Sequence, residues 1–476
     1  MKRFCTLLLF LSLTLSIAHA QEYWSLEKCI NYARQNNLLV KQAQYGILNA
    51  ELSNKQSRMN RLPNLNGSVR GGYQFGRTID PTTNSFNNES IGFNSFGLDA
   101  GVTIYNGNAV NNSIKQSKFD MEAAKLDAAA TSNDISLQVA SSYLSILLAE
   151  EQLENAKGRL KLSEAQLAQT DKLIQAGSLP SNDRLDFVAQ IAREQQAIIE
   201  AENLVNINYL TLKQLLVLDP NINMQIERPE IVVPEANPES FALNEIYTSS
   251  LSTQPQIEAG EMRMKSAELG EKIAQGQSLP TLSLFAGLSS NYSTLAKDFL
   301  NPTSVTEVPV SLPVEFNGER TTITTFQQVS TYDNKTYGNQ INENFGQYVQ
   351  LSLNIPIYSN HRNKINLERA RLSTLNTEVA NRQARNLLKA NVQRAIADAR
   401  AAKESFEASQ RSVEAAQAAF DNSKRRFELG AINSLEFTTA SNNLNQANVT
   451  LIQAKYQYLF NLKVVDFYMG KTIELN

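Results

Sequence analysis

The stretch from Asn108 to Ala176 contains no proline and one glycine, Gly158. The lack of helix breakers predicts one uninterrupted helix. At ~1.5 Å per residue it would reach ~100 Å, well beyond the width of an ordinary globular domain. In its second half Leu153, Leu160, Leu167 and Ile174 recur every seven residues, with Ala149, Ala156, Ser163 and Thr170 four positions before each. Large and small residues alternating at heptad spacing describe a coiled-coil stripe along which backbones approach closely. The pattern returns 253 residues later, with Phe406, Val413, Phe420 and Phe427 in the large places and Ala402, Ser409, Ala416 and Ser423 in the small ones. The chain encodes the same rod twice.

Residues 1–20 read as a secretory signal. Lys2 and Arg3 precede an apolar run from Leu7 to Ile17, and Ala18-His19-Ala20 forms a small-x-small cleavage site before Gln21. After cleavage Cys29 is the one cysteine, so no intramolecular disulfide is available, and its alignment with Leu26, Ile30 and Ala33 marks it as a small buried hydrophobe. His361 is then the one histidine, which excludes multi-histidine metal sites. The sequence shows no Walker loop, dinucleotide fingerprint or EF-hand loop. A net charge of -3 leaves no basic footprint for nucleic acid. The expectation is a protein that is not an enzyme and takes no cofactor.

Leu26 to Leu62 is expected to be a first helix, capped by Ser25 and closed by Pro63. The period then changes to two. Leu65, Gly67, Val69, Gly71, Tyr73 and Phe75 share one face, opposite Asn66, Ser68, Arg70 and Gln74. A polar loop from Thr78 to Ser95 separates this run from a second one, in which Phe96, Leu98, Ala100, Val102 and Ile104 oppose Gly97, Asp99, Gly101 and Thr103. The long helix follows and ends at Gly177-Ser178-Leu179-Pro180, a C-cap glycine with a stopping proline. A return helix from Asn182 to Leu216 closes an antiparallel hairpin. Pro220, Pro229, Pro234 and Pro238 mark residues 219–240 as a linker.

Beyond the linker the series restarts. Leu279-Pro280 follows Leu62-Pro63 by 217 residues, while Tyr358 follows Tyr105, and Gly430 follows Gly177, by 253. Leu282, Leu284, Ala286 and Leu288 alternate with polar or small residues, although Phe285 interrupts the polar face. Val349, Leu351, Leu353, Ile355 and Ile357 form a fourth run, and a final helix spans Ser434 to Tyr468. Residues 21–218 and 241–476 are therefore two copies of one helix, strand, strand, long helix, return helix unit. A polar insertion over residues 291–344, too long for an ordinary connection, is expected to be surface-exposed and partly mobile.

Each alternating run matches the ~9 to 11 residues that a tilted strand needs to cross a bilayer. Tyr73, Phe75, Tyr105, Tyr348 and Tyr358 stand near the run ends, where membrane-interface aromatics belong. Four strands cannot close a barrel, and lipid tolerates no unpaired strand edge. A symmetric oligomer is required, and three copies would share twelve strands. A periplasmic adaptor or a secreted structural coiled coil would share the heptads. The adaptor would carry a single hairpin, and neither has a use for the four strands.

The mature chain resembles the outer-membrane efflux protein family, the TolC-like channels of Gram-negative bacteria. The likeness rests on the duplication, on the junctions Gly101-Val-Thr-Ile-Tyr-Asn-Gly107 and Leu353-Asn-Ile-Pro-Ile-Tyr358, and on the two tips, in which a glycine precedes a carboxylate by six positions. The resemblance implies a mainly α fold with a membrane β-barrel: a homotrimer with an α-helical tunnel in the periplasm and a shared 12-stranded barrel in outer-membrane lipid. It implies an exit-duct channel served by a periplasmic adaptor (membrane fusion protein) and an inner-membrane RND or ABC-type pump, for efflux or type I secretion. It also implies an acidic ring at the periplasmic aperture, for which Glu436 matches the first family position and Thr439 departs from the second; Asp183 and Asp186 are the counterparts in the first hairpin. Gly177, Ser178, Leu179, Gly430, Ala431 and Ile432 are the candidate adaptor-docking tips. Where the family holds its tips shut with Tyr and Arg contacts, this chain has Phe427 and Ile432, with Arg184, Arg425 and Arg426 nearby.

Overall fold

A computed structural model of the chain describes residues 23–80, 84–229, 238–316 and 318–472. The expected signal segment and residues 230–237 of the expected linker lie outside these. The first half runs β1 (Tyr23–Trp24), α1 (Leu26–Asn36), α2 (Leu38–Met59), β2 (Asn64–Gln74), β3 (Thr78–Ile79), β4 (Phe86–Asn87), β5 (Ile91–Asn106), α3 (Ala109–Gln175), α4 (Asp183–Leu216) and β6 (Gln225–Ile226). The second runs α5 (Leu243–Thr253), α6 (Pro255–Gly276), β7 (Thr281–Ser293), β8 (Lys297–Phe316), β9 (Glu319–Asn334), α7 (Tyr337–Glu343), β10 (Gly346–Asn354), α8 (Arg362–Glu428) and α9 (Ser434–Tyr468). The two rods, α3 and α8, have 67 residues each, and the helix pairs α1/α2 and α5/α6 each have 11 and 22. The helix pair, the two long sheet strands, the rod and the return helix correspond between the halves, whereas β1, β6 and α7 have no counterpart in the other half.

The single helix expected over residues 26–62 is two helices. Asn37 turns extended, with ψ 134°. Its Oδ1 accepts the Leu39 N–H at 2.9 Å, replacing a helical bond lost at the break, and its Nδ2 donates to the Leu215 carbonyl at the end of the first return helix at 2.8 Å. In the second copy a proline does the same work. Gln254 precedes Pro255 and is extended, because the proline ring disfavours a helical residue before it.

The chain divides into two compact units, and neither is one of the sequence repeats. The described residues within 1–53, 117–267 and 373–476 form a helical unit, and those within 54–116 and 268–372 form a sheet unit. Each repeat contributes to both.

In the helical unit one core gathers Cys29, Ala33, Ile135, Val139, Tyr143, Ile146, Leu212 and Leu216, and the equivalent core in the second copy gathers Ile246, Ile257, Leu388, Val392, Ala399 and Val465. Cys29 is fully buried, and burial pushes its thiol up to about 12. Along α3 the small heptad residues Ala149, Ala156, Ser163 and Thr170 are buried, while Leu153, Leu160, Leu167 and Ile174 are only half-buried. The small stripe lets backbones approach within one chain and leaves the large side chains partly uncovered.

In the sheet unit four antiparallel strands lie in the order β10-β7-β5-β2. The register carries the alternation across all four. Leu65, Val69, Leu98, Ala100, Leu284, Ala286, Val349 and Leu351 share one face; Asn66, Ser68, Arg70, Asp99, Ser283, Gln350 and Ser352 share the other. A bulge between Thr103 and Tyr105 pairs Tyr105 with Leu282, bringing Tyr105 onto the apolar face. The fourth strand stops at Asn354, short of the run expected to Ile357, because Pro356 cannot donate to a ladder.

The insertion carries regular structure. Strands β8 and β9 form an antiparallel ribbon, and α7 follows. Pro302, Pro309 and Pro313 hid the alternation of Val308, Val310, Leu312 and Val314 in the sequence. A two-stranded ribbon has an outer edge on which proline is allowed, and the four-residue spacing of Pro309 and Pro313 keeps both nitrogens on it. At the end of β7, Gln340 of α7 accepts the Ser293 N–H at 2.9 Å and donates to its carbonyl at 3.0 Å. One side-chain amide thus replaces the strand partner where β10 has ended.

Candidate functional site: hairpin tips and open sheet edges

Both hairpins turn by the same device. Gly177 (φ +74°) and Gly430 (φ +69°) adopt the left-handed conformation that ends a helix, which favours glycine. The Gly177 N–H bonds the Ile174 carbonyl and the Ser178 N–H the Leu173 carbonyl, both at 2.9 Å. In the second tip Gly430 bonds Phe427 and Ala431 bonds Arg426, at 2.9 and 2.8 Å. At the start of α9, Asn433 caps the helix by accepting the Glu436 N–H at 2.9 Å.

Behind the turns lies an aromatic core of Phe187, Phe420, Phe427 and Phe437, closed by Ile432 and Leu444. Phe427 stacks on Phe437 with ring centroids 5.0 Å apart, and Phe187 meets Phe427 edge-on at 5.8 Å. Phe427 is therefore an internal packing residue, and the two hairpins of one chain are bound together at their ends. Of the six tip residues expected to face a partner, Gly177, Ser178, Gly430 and Ala431 are exposed. Ile432 is buried and Leu179 is half-buried against the same aromatic core. The exposed apolar groups of the tips are instead Leu185, Leu429 and Leu435. Sequence could have found Leu435: it sits between Ser434 and Phe437, whose three-residue spacing defines the inward face.

The three acidic candidates separate. Asp183 and Asp186, in the first turn of α4, converge on buried Ser434, whose hydroxyl lies 3.3 Å from Asp183 Oδ1 and 2.6 Å from Asp186 Oδ2. Glu436 is exposed and outside this cluster. Arg184 is engaged with Asp171 at 3.0 Å, within its own hairpin.

Further along the rods is a polar layer that the heptads did not announce. Glu194 is buried, 3.3 Å from Arg159 Nη2, and accepts from Gln190 Nε2 at 2.5 Å; Gln190 Nε2 also reaches Asn442 of the second hairpin at 3.3 Å. Arg193 Nη2 donates to Gln190 Oε1 at 2.6 Å.

The sheet unit presents two free edges, β2 and β10. Tyr73 and Phe75, at the end of β2, are strongly exposed, as is Tyr358 at the other end of its run; Tyr105 is exposed to a lesser degree. Tyr348 lies on the polar face of the sheet, where its hydroxyl donates to Asp99 Oδ1 at 3.0 Å. Among the described residues no helix is long and apolar enough to cross a membrane, and no group of histidine, cysteine and carboxylate side chains could hold a metal ion.

The fold is shared with solved channels. CusC superposes with a TM-score of 0.74 at 18% identity, over 94% of this chain and 92% of that one. VceC of Vibrio cholerae gives 0.74 at 14%, over 94% and 97%, and the MtrE outer membrane channel of Neisseria gonorrhoeae, in its open state, gives 0.71 at 18%, over 95% and 90%. An uncharacterized protein of Haemophilus influenzae is 27% identical over 309 residues, which cover 62% of this chain and 64% of that relative's length. The family model for the outer membrane efflux protein matches residues 29–217 and 246–471, both copies of the repeat. With the duplicated rods, the paired tips and the amphipathic four-stranded sheet in place, the chain belongs to the outer membrane efflux protein family.

Proposed function

We propose that the chain is the outer-membrane exit duct of an efflux or type I secretion assembly. It works as a homotrimer: the sheet units close a twelve-stranded barrel and the helical units wall a periplasmic conduit. The observation that carries this reading is the four-stranded sheet with one apolar face, one polar face and two free edges. Such a sheet has unpaired backbone groups along β2 and β10, which lipid does not tolerate. Pairing β2 of one copy with β10 of the next satisfies both edges, sets the apolar face toward lipid and leaves the polar face around a wet lumen.

A periplasmic adaptor docks at the tips, and an RND or ABC-type pump in the inner membrane supplies the cargo. The docking surface is Gly177, Ser178, Gly430 and Ala431 together with the exposed Leu185, Leu429 and Leu435; small residues admit a partner helix closely while the leucines offer it apolar surface. Glu436 faces the aperture. Photo-crosslinking in cells from Ser178 and Ala431 tests the reading. Capture of a periplasmic adaptor by a protein that migrates as a trimer on unheated gels supports it. A monomeric protein, or an outer-membrane trimer that captures no adaptor from either position, removes respectively the channel or the tripartite assembly.

A further inference from the structure

Four glycines of the sheet each stand directly across from an aromatic residue: Gly72 from Phe93, Gly92 from Tyr73, Gly101 from Phe285 and Gly287 from Tyr348. In every case the ring lies on its glycine. A Cβ added at Gly72, Gly92, Gly101 or Gly287 would meet the ring at 3.3, 2.8, 3.0 or 2.5 Å. Strand side chains ordinarily stand perpendicular to their sheet. Here bare backbone lets them lie down, and three of the four rings, Phe93, Phe285 and Tyr348, are on the polar face.

The Gly287 row is the most elaborate. Asn66, Asp99, Gly287 and Tyr348 are successive cross-strand neighbours over all four strands. Tyr348 spans Gly287 to reach Asp99, its hydroxyl donating to Oδ1 at 3.0 Å. A Cβ at Gly287 would also meet Asp99 Oδ1 at 2.7 Å, so one methyl group would displace both the ring and its anchor.

We propose that Gly287, with the Tyr348–Asp99 bond, sets the bore of the channel by holding an aromatic ring flat against the lumen wall, and that Gly101 does the same for Phe285. The inference rests on the polar face lining the lumen. It assigns the width of the pore to glycines, and it accounts for Phe285, which interrupts the polar pattern in sequence but lies down over Gly101 in the fold. Bulky cargo passes because the aromatics are folded away.

The test reads the lumen directly. Ser283 lies on the polar face toward the helix end of β7, so a reagent entering from the loop end must pass the Gly287 row to reach it. In Ser283→Cys, labelling by membrane-impermeant maleimides of increasing size is followed on intact cells; buried Cys29 provides a quiet background. The expected result is that Gly287→Val slows the bulky reagents several-fold and leaves the smallest nearly unchanged. Adding Tyr348→Ala to Gly287→Val should restore the parent rate, since the obstructing ring is gone. Gly101→Val, which raises Phe285, is the second variant if Gly287→Val does not yield a heat-modifiable trimer. Unchanged rates in folded Gly287→Val and Gly101→Val trimers overturn the inference alone. Labelling of Ser283→Cys only by lipid-soluble maleimide overturns the lumenal face itself, and the channel reading with it.

Discussion

Ser434, the first residue of α9, donates its hydroxyl to Asp186 Oδ2 at 2.6 Å and so ties the second hairpin to the first at their tips. The bond is charge-assisted but borders solvent, since Asp186 is exposed. Ser434→Ala should therefore cost about 1 kcal/mol, below the value for a fully buried charged bond. The loss should be local: amide exchange over residues 183–187 and 434–438 rises, while exchange in the core around Tyr143 does not change. Uniform exchange across both regions would mean that Ser434 does not hold the tips.

Phe437 sits at the centre of the tip core, in ring contact with Phe187, Phe420 and Phe427. Phe437→Ala should destabilise the tip by about 3–5 kcal/mol, as is usual for truncating a buried aromatic. Limited proteolysis should then cut near residues 177–183 and 430–436 before any other site, and Phe437→Leu should be cut more slowly than Phe437→Ala.

Glu194 is the charged centre of the polar layer shared by α3, α4 and α9, and Arg159 Nε is buried without an acceptor among the described residues. Glu194→Ala leaves the Arg159 guanidinium unpaired, which typically costs about 3–5 kcal/mol for a buried pair. Replacing both, as Glu194→Met with Arg159→Met, should recover most of that loss in a urea titration. If the double variant is as unstable as Glu194→Ala, the layer contributes through packing and not through charge.

Cys29 should be silent to maleimide at pH 8 in the native protein and react fully in denaturant, because burial both shields the thiol and holds its ionisation at about 12. The linkage follows from a raised pKa. The neutral thiol's contribution to stability is complete below the unfolded value of ~8.5 and is lost as pH climbs toward the folded value. Thermal unfolding of Cys29→Ala should accordingly depend less on pH between about 9 and 12 than that of the parent.

Glu436 is exposed near the second tip, whereas Asp183 and Asp186 share Ser434. Glu436→Ala should lower cation selectivity in planar bilayers and weaken blockade by trivalent cations. Asp183→Asn should change both less. Equal permeability ratios in the parent and Glu436→Ala would exclude Glu436 from the aperture.

Rod length, the duplication and the strand pattern were legible in the sequence because each is a local periodicity: no breaker for 67 residues, a constant 253-residue offset, and alternation that decides which side of a strand is apolar. The tip turns were legible for the same reason, since a left-handed C-cap favours a glycine at a definite place.

What failed to show was non-local. The break at Asn37 depends on the Leu215 carbonyl, 178 residues away, and the inward turn of Ile432 depends on aromatic residues from three helices. The β8–β9 ribbon was hidden because proline argues against a strand until its edge position is known. The same limit separates the two faces of this protein's chemistry. Long paired rods and amphipathic strands follow from local residue pattern, because propensity and period act between near neighbours. Which carboxylates meet at Ser434 and which aromatics lie down on glycines is set in the folded chain by strand register and helix packing, which bring together residues far apart in sequence.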